Sequence, residues 1–482
     1  MNKKPLGDVE PSNTLDGSKT THQEATMIFA TSLPGFKSFL GKSVDGCADF
    51  GHIVAFVSCI VLPVVARRSV FAAGRAIRSD LRNAANLLRF LGGSKSPAAL
   101  LVAAQQCLLD EASVRDPRLH LLLLDSTSMS HQGEQSENTY SCGNTKSRPK
   151  KSSRKQKPTH RRCCHCFVFA LLLCPDGTRI PYFLPFYTEE YCKIRNWCHK
   201  TQADLAAQLI DSLPLAANIP VMVVGDTAFE AKQIRRSCAK RNYDWIVPLN
   251  PERRLAVSKP RPKVLSLCQS LKDSDFSKVS FRLDEGELSP MARVSPGRSQ
   301  SSKHQRVYWA HKRIADVLSV GEVVLLFSSK QGPNKTQAIK VQKVLMSNAQ
   351  QADMEQLLHW YSLRWQIELF FKEMKSQLGM AQYQTRNFDR VKGWVTLCVL
   401  SFCYLEWRRR ECLAKASKKE QPYWQAARMQ AMRACLRREV EGEDILELIR
   451  LAQNPDGFSL LNDLLDNGYD DPSHPRGHRS AA

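Results

Sequence analysis

Apolar and polar residues are arranged in distinct ways along this chain, and each change of pattern marks a part of it. Residues 1–26 are rich in Ser, Thr, Asp and Gly without periodicity, which predicts a flexible tail. From Phe29 to about Leu109 apolar residues recur at helical spacing, with breaks near Pro34, Gly41, Gly51 and Gly92, so 27–118 reads as a helical N-terminal domain. At Leu119 the pattern becomes a short apolar run, LHLLLLDSTSMS, that stops at Asp125 as a buried strand stops. After a polar stretch, 131–162, the segments CCHCFVFALLLC and TRIPYFLPFY read as two strands joined by a turn at Pro175, Asp176 and Gly177. A helix follows from about Thr201 to Leu213, then the strand IPVMVVGD ending in Asp226, a helix from about Phe229 to Arg241, and the strand YDWIVPL.

Residues 251–345 lack helical periodicity and hold strand-like pieces, KVSFRL, RVYWAH and GEVVLLFS, with a loose loop near Glu285 to Lys303. They read as a β-rich insertion. A helix from about Met354 then carries YSLRWQIELFFKEMK. At about 100° per residue, Tyr361, Arg364, Glu368 and Lys375 share an arc of roughly 60°, beside an apolar face that includes Leu363, Ile367, Phe370 and Met374. Such a stripe is either a solvated face with helical ion pairs or a carboxylate flanked by cations, able to bind metal beside an anion. VKGWVTLCVLSFCYLEWRRR is an apolar helix expected to pack beneath it, so 346–412 completes a core that begins at 119–250. Residues 413–466 read as basic C-terminal helices and 467–482 as a second tail.

Composition narrows the partners. A net charge of +22 favours a polyanion, and within 131–162 the run KSRPKKSSRKQKPTHRR holds nine Lys or Arg and no acid, as either a solvated loop or a track for nucleic acid. Ile53 to Ala66 is apolar for only about fourteen residues and is broken by Pro63, short of the roughly twenty a membrane span needs, so a buried helix is expected and no membrane partner. The sixteen cysteines follow no spacing framework and read as reduced thiols in a reducing compartment. Cys163, Cys164, His165 and Cys166 alternate across a strand and cannot converge on one zinc ion.

Three acids stand out by placement: Asp125 and Asp226 after buried strands and Glu368 on the later helix. An open sheet gathers its site where strand ends converge, and a helix can bring a third ligand there. The element order, three strands, helix, strand, helix, strand and acid-bearing helix, is that of a ribonuclease-H-like fold. The expected fold class is therefore α/β, a ribonuclease-H-like catalytic core with a β-rich insertion plus helical N- and C-terminal regions.

The spacing Tyr361, two residues, Arg364, three residues, Glu368, six residues, Lys375 resembles the signature of the insertion-sequence-four family of bacterial DDE transposases. Asp125 in LLLLDST and Asp226 in VVGDTAF are similar to the settings of that family's two aspartates, and the resemblance covers roughly 119–412. It implies metal-dependent DNA cleavage at transposon ends and strand transfer into target DNA, with Asp125, Asp226 and Glu368 as catalytic and metal-binding carboxylates for two Mg²⁺, or Mn²⁺ in their place. Hard divalent ions prefer such oxygen ligands. It also implies that Tyr361, Arg364 and Lys375 bind double-stranded DNA at terminal inverted repeats, and that the protein works as a homodimer on paired ends in the bacterial cytoplasm at the nucleoid. An aromatic that stacks on a flipped base occurs in the family, and Trp309 is the candidate here. The competing readings are a catalytically inactive DNA-binding protein and a nuclease or resolvase on the same scaffold.

Overall fold

The computed structural model describes residues 33–62, 84–112, 118–131, 136–142, 162–257, 260–283, 305–333 and 338–440. The 1–26 and 467–482 tails, the 285–303 loop, nearly all of the basic run and the stretch 441–466 lie outside the described residues.

The framework is a mixed α/β sheet. Its strands are β1 (His120–His131), β2 (Tyr140–Cys142), β3 (Arg162–Leu173), β4 (Arg179–Pro185), β5 (Val221–Val224), β6 (Asp244–Pro248), β7 (Ser277–Arg282), β8 (Gln305–Val317), β9 (Gly321–Ser329) and β10 (Lys343–Ser347). They run in the order β2-β3-β1-β5-β6-β10-β9-β8-β7, and β4 pairs with β3. β2 and β4 share one edge of β3, at its start and its end respectively. β1 is antiparallel to β3 and parallel to β5, and β5 is parallel to β6. The apolar run Leu121 to Leu124 is buried, as expected of a central strand covered on both faces.

Two expectations change. β1 does not stop at Asp125 but continues to His131, because β3 pairs with it along its whole outer half, from Asp125↔Phe169 to His131↔Cys163. The stretch read as one basic loop contains β2, which takes the free edge of β3. The strands of the 251–345 region join the same sheet: β10 pairs antiparallel with β6, so β7 to β10 extend it.

The N-terminal helices α1 (Phe36–Leu40), α2 (Phe50–Val61), α3 (Ala84–Gly93) and α4 (Ser96–Glu111) bear out helical periodicity at the start of the chain. α2 is the apolar stretch weighed above as a membrane span; Ile53, Phe56, Val57 and Ile60 are buried, and no described helix is long and apolar enough to cross a membrane. Four more helices lie among the strands: α5 (Glu189–Arg195), α6 (Gln202–Asp211), α7 (Lys232–Arg241) and α8 (Val264–Ser270). α5 and α8 are too short to leave a periodic signal. α6 starts at Thr201, whose hydroxyl accepts from the Asp204 amide while the Asp204 carboxylate accepts from the Thr201 amide, a capping box.

The predicted acid-bearing helix is two helices, α9 (Met354–Ser362) and α10 (Trp365–Ser376). The junction tightens into three-residue steps, with the Arg364 amide on the Tyr361 carbonyl at 3.2 Å and the Gln366 amide on the Leu363 carbonyl at 2.9 Å. α11 (Phe388–Lys415) is the long apolar helix, with Phe402 edge-on to Phe370 of α10 at 4.9 Å between ring centres. α12 (Gln421–Ala426) and a further helix, α13 (described over 429–440), follow it.

α3 crosses α11 closely. A methyl group built on Gly393 would stand 2.1 Å from the carbonyl oxygen of Leu91, a backbone atom with no rotamer by which to yield. Gly393→Ala is therefore expected to lose about 2 kcal/mol of stability despite alanine's better helix propensity. A denaturant midpoint equal to or above that of the unaltered protein would show that the two helices can separate freely.

Cys164 is disulfide-bonded, against the expectation that every cysteine is a thiol, whereas Cys166, Cys174, Cys238 and Cys403 are buried free thiols. His165 is buried with both ring nitrogens engaged, Nδ1 with the Tyr383 hydroxyl at 2.5 Å and Nε2 with the Glu137 carbonyl at 2.9 Å.

Candidate active site and cationic cleft

Register places the two aspartates. The β1–β5 pairing ends at Leu123↔Val224; Asp125 lies two residues further along β1, and Asp226 lies two residues past the end of β5. In-register residues of neighbouring parallel strands point the same way and stand roughly 4.8 Å apart along the sheet. β5 can end there because Gly225 has no side chain: a Cβ would meet Cβ of buried Phe229 at 2.9 Å. Asp226 also has a local task, since its side chain accepts from the Ala228 amide at 2.9 Å and caps the short turn Thr227–Phe229. That turn takes the place of the expected start of α7 at Phe229.

Glu368 arrives on α10. It is about half exposed, with 56% of its side chain open to solvent, whereas the Asp125 side chain is at 18%. Arg364 links the two: one guanidinium nitrogen bonds the Glu368 carboxylate and another lies 3.8 Å from that of Asp125. Burial pushes the Asp125 carboxyl up to about 6; the carboxylates of Asp226 and Glu368 add to the rise, while the Ser126 amide and Arg364 oppose it. Burial works against the charge of Arg364, but Tyr361, Glu368 and Asp125 outweigh it and raise its pKa. Lys375, two turns along α10, donates to the Ser128 carbonyl of β1 at 2.9 Å, and burial lowers its pKa. Among the described residues no three His, Cys, Asp or Glu side chains already form a metal-holding group, because Glu368 is turned onto Arg364. The donor set nevertheless suits a hard divalent cation: three carboxylates, oxygen ligands only, with Asp226 and Glu368 both raising the pKa of Asp125.

Tyr361 stays close to Arg364, whose pKa it helps to raise. On α9, before the break, it faces Lys343 of β10, whose Nζ lies 4.8 Å from its ring centre and 3.3 Å from its hydroxyl. Both residues line a cleft of about 470 Å³ with Arg306, Tyr308, Lys330 and Arg364. Arg364 is thus shared between the cleft and the carboxylates. Trp309 does not line this cleft; it packs over Gly332, while its neighbour Tyr308 points the other way, as alternation along β8 requires. Sequence reasoning missed Tyr308, Lys343 and Arg306, because the parity of β8 and β10 against α9 is set by pairing and leaves no trace in composition.

An acidic group on neighbouring parallel strands, with a cationic cleft opening beside it, marks the candidate site of this α/β protein. Residues 198–404 match the family model described as transposase DDE domain, so that stretch is similar to the DDE transposases and supports a transposition-related function. The match takes in Asp226, Tyr361, Arg364, Glu368 and Lys375; Asp125 lies before it and joins them through the register of β1. No curated protein matches the chain.

Proposed function

We propose that this protein is a transposase of the insertion-sequence-four type that cuts DNA at transposon ends and transfers the freed strand into target DNA, a cut-and-paste reaction. The observation that carries the reading is the approach of Asp226, two residues past the end of β5, and of Glu368 on α10 to Asp125 of β1, both near enough to raise its pKa. The order β4-β3-β1-β5-β6, with β1 antiparallel to β3 and parallel to β5, supports a ribonuclease-H-like core beneath the site.

In this reading Asp125, Asp226 and Glu368 would hold two Mg²⁺ ions, which would supply positive charge against the negative charge that develops on the attacking and leaving oxygens of a phosphodiester. Arg364 grips a phosphate through two donors and hands Glu368 to the metal site as it does so. Tyr361 and Lys343 hold the next phosphate in the cleft, where Tyr308 rather than Trp309 offers a face to an unstacked base. Lys375 sets the DNA backbone against β1. Two copies acting on paired inverted repeats at the nucleoid complete the proposal.

The test is cleavage of a plasmid carrying the DNA that flanks the coding region, with Mg²⁺ or Mn²⁺. Ion-dependent cuts at inverted repeats, absent with Asp226→Ala, support the reading; equal cutting by both proteins, or none by either, rejects it. One observation favours a catalytically inactive DNA-binding protein: Arg364 already neutralises Glu368 and lies near Asp125. That alternative predicts salt-sensitive DNA binding with no cleavage.

A further inference from the structure

The face of α10 opposite Glu368 carries a second carboxylate that the proposed chemistry does not use. Glu373 follows Glu368 by five residues, a turn of roughly 140° around the helix, and is 5% exposed. One of its oxygens accepts from Arg179 at 3.1 Å and the other from the backbone amide of Met429, the first residue of α13, at 3.2 Å. Arg179, the first residue of β4, also donates to Glu406 of α11, from Nη2 at 2.8 Å and from its backbone amide at 3.1 Å. Arg409 closes the group with a 2.6 Å bond to Glu406 and a 3.0 Å bond to the Gly177 carbonyl. Arg179, Glu406 and Arg409 are all buried.

Apolar contacts alone, such as Phe370 against Phe169 and Phe402, let a helix slide or roll by fractions of a turn at little change in energy. A directional charged bond does not. Glu373 is tied to three other elements, each at a defined atom: the start of β4, the middle of α11 through Arg179, and the first amide of α13, where negative charge is favoured. A buried ion pair is weak evidence for stability, since apolar residues of the same volume hold as well; what it specifies is relative position.

We propose that Glu373 is the positioning residue of the acid-bearing helix, fixing the rotation and height at which Glu368 and Lys375 meet β1. The inference rests on the proposed function for its catalytic consequence, though its geometric half stands alone. It also makes α13 a support of the active site, since Met429 supplies one of the two donors and Arg433 reaches Gln377 at the end of α10 at 3.4 Å.

The test is Glu373→Gln, which keeps size and reach but removes the charge, examined by crystal structure, DNA cleavage and Mn²⁺ titration of the whole chain. The expected result is a folded protein in which Lys375 has left the Ser128 carbonyl and Arg364 has moved relative to Asp125. Cleavage falls on the order of tenfold to a hundredfold, and Mn²⁺ half-saturation moves to higher concentration, while DNA binding without metal is unchanged. A variant structure with both contacts in place overturns the proposal whether or not the protein cuts DNA. If the unaltered protein fails to cut DNA, the proposed function falls, and the variant structure still decides the geometric claim. Should Glu373→Gln not fold, Glu373→Met is examined in the same way; a folded Met variant with α10 unmoved also overturns it.

Discussion

Asp125→Asn protein is expected to lose ion-dependent DNA cleavage by on the order of a hundredfold or more, while becoming more stable at neutral pH in the absence of metal. Both effects have the same origin. Asp125 is buried beside Asp226 and Glu368, and its carboxyl titrates near 6 in the folded protein against an ordinary value of 3.8. Between those values the folded state binds more protons than the unfolded chain, so stability falls as pH rises from about 3.8 through about 6. Asparagine keeps the shape and can still accept from the Ser126 amide at the position where Asp125 accepts at 2.7 Å. It removes the charge that the fold resists and that a divalent ion would balance. Melting temperatures measured without metal should differ at pH 7 and converge below about pH 4. Glu368→Gln should abolish cleavage with less effect on stability, because Glu368 is half exposed and already paired with Arg364. A variant that cuts DNA at the normal rate, or that melts lower than the unaltered protein at pH 7, would count against Asp125 as the centre of an acidic site.

Glu406→Gln is expected to lose about 3–5 kcal/mol of stability, the usual consequence of removing one partner from a buried ion pair. Burial pushes the Glu406 carboxyl up, and Arg179 and Arg409 more than reverse it, holding it at about 2. Its contribution is therefore fully present above its ordinary value of 4.5 and is lost as pH falls from there toward about 2. Glutamine leaves Arg409 without its buried carboxylate and Arg179 with Glu373 alone. Guanidinium unfolding at pH 7 should show a lower midpoint at an unchanged slope, and the acid sensitivity between about pH 4.5 and 2 should lessen. A midpoint within experimental scatter of the unaltered protein would mean that the group is solvated on the unfolding timescale and anchors nothing.

Both results bear on one arrangement. Arg364 joins the carboxylates to the cleft on the solvent side of α10, and the Glu373–Arg179–Glu406 group holds the other side of the same helix to the body of the protein. Changes on the first side should alter chemistry and spare the fold. Changes at Glu406 should alter the fold and, through it, the chemistry.

How far the residues alone could go is clear from particular elements. Apolar runs announced β1, β3, β5 and β6, because a strand covered on both faces must be apolar throughout. Helical spacing put Arg364, Glu368 and Lys375 on one stripe, and that survives in α10. The tight steps at Leu363 and Arg364 split that helix in two, and no residue there is a Gly or Pro that would have signalled the break; Tyr361, before the break, meets Lys343 as well as Arg364.

The sequence by itself singled out the residues proposed to carry the chemistry and the alternation of strands and helices that presents them, since both depend on side-chain type and short spacing. Only the tertiary structure decided which of them meet. Asp125 and Asp226 are 101 positions apart in the chain, and the register Leu123↔Val224 makes them neighbours. Glu373 and Arg179 look like surface charges in the sequence, because a charged residue reads the same whether water or a partner satisfies it. Tyr308 and Trp309 exchange roles for a similar reason: composition marks both as aromatic, and only the pairing of β8 with β9 sends one into the cleft and the other onto Gly332.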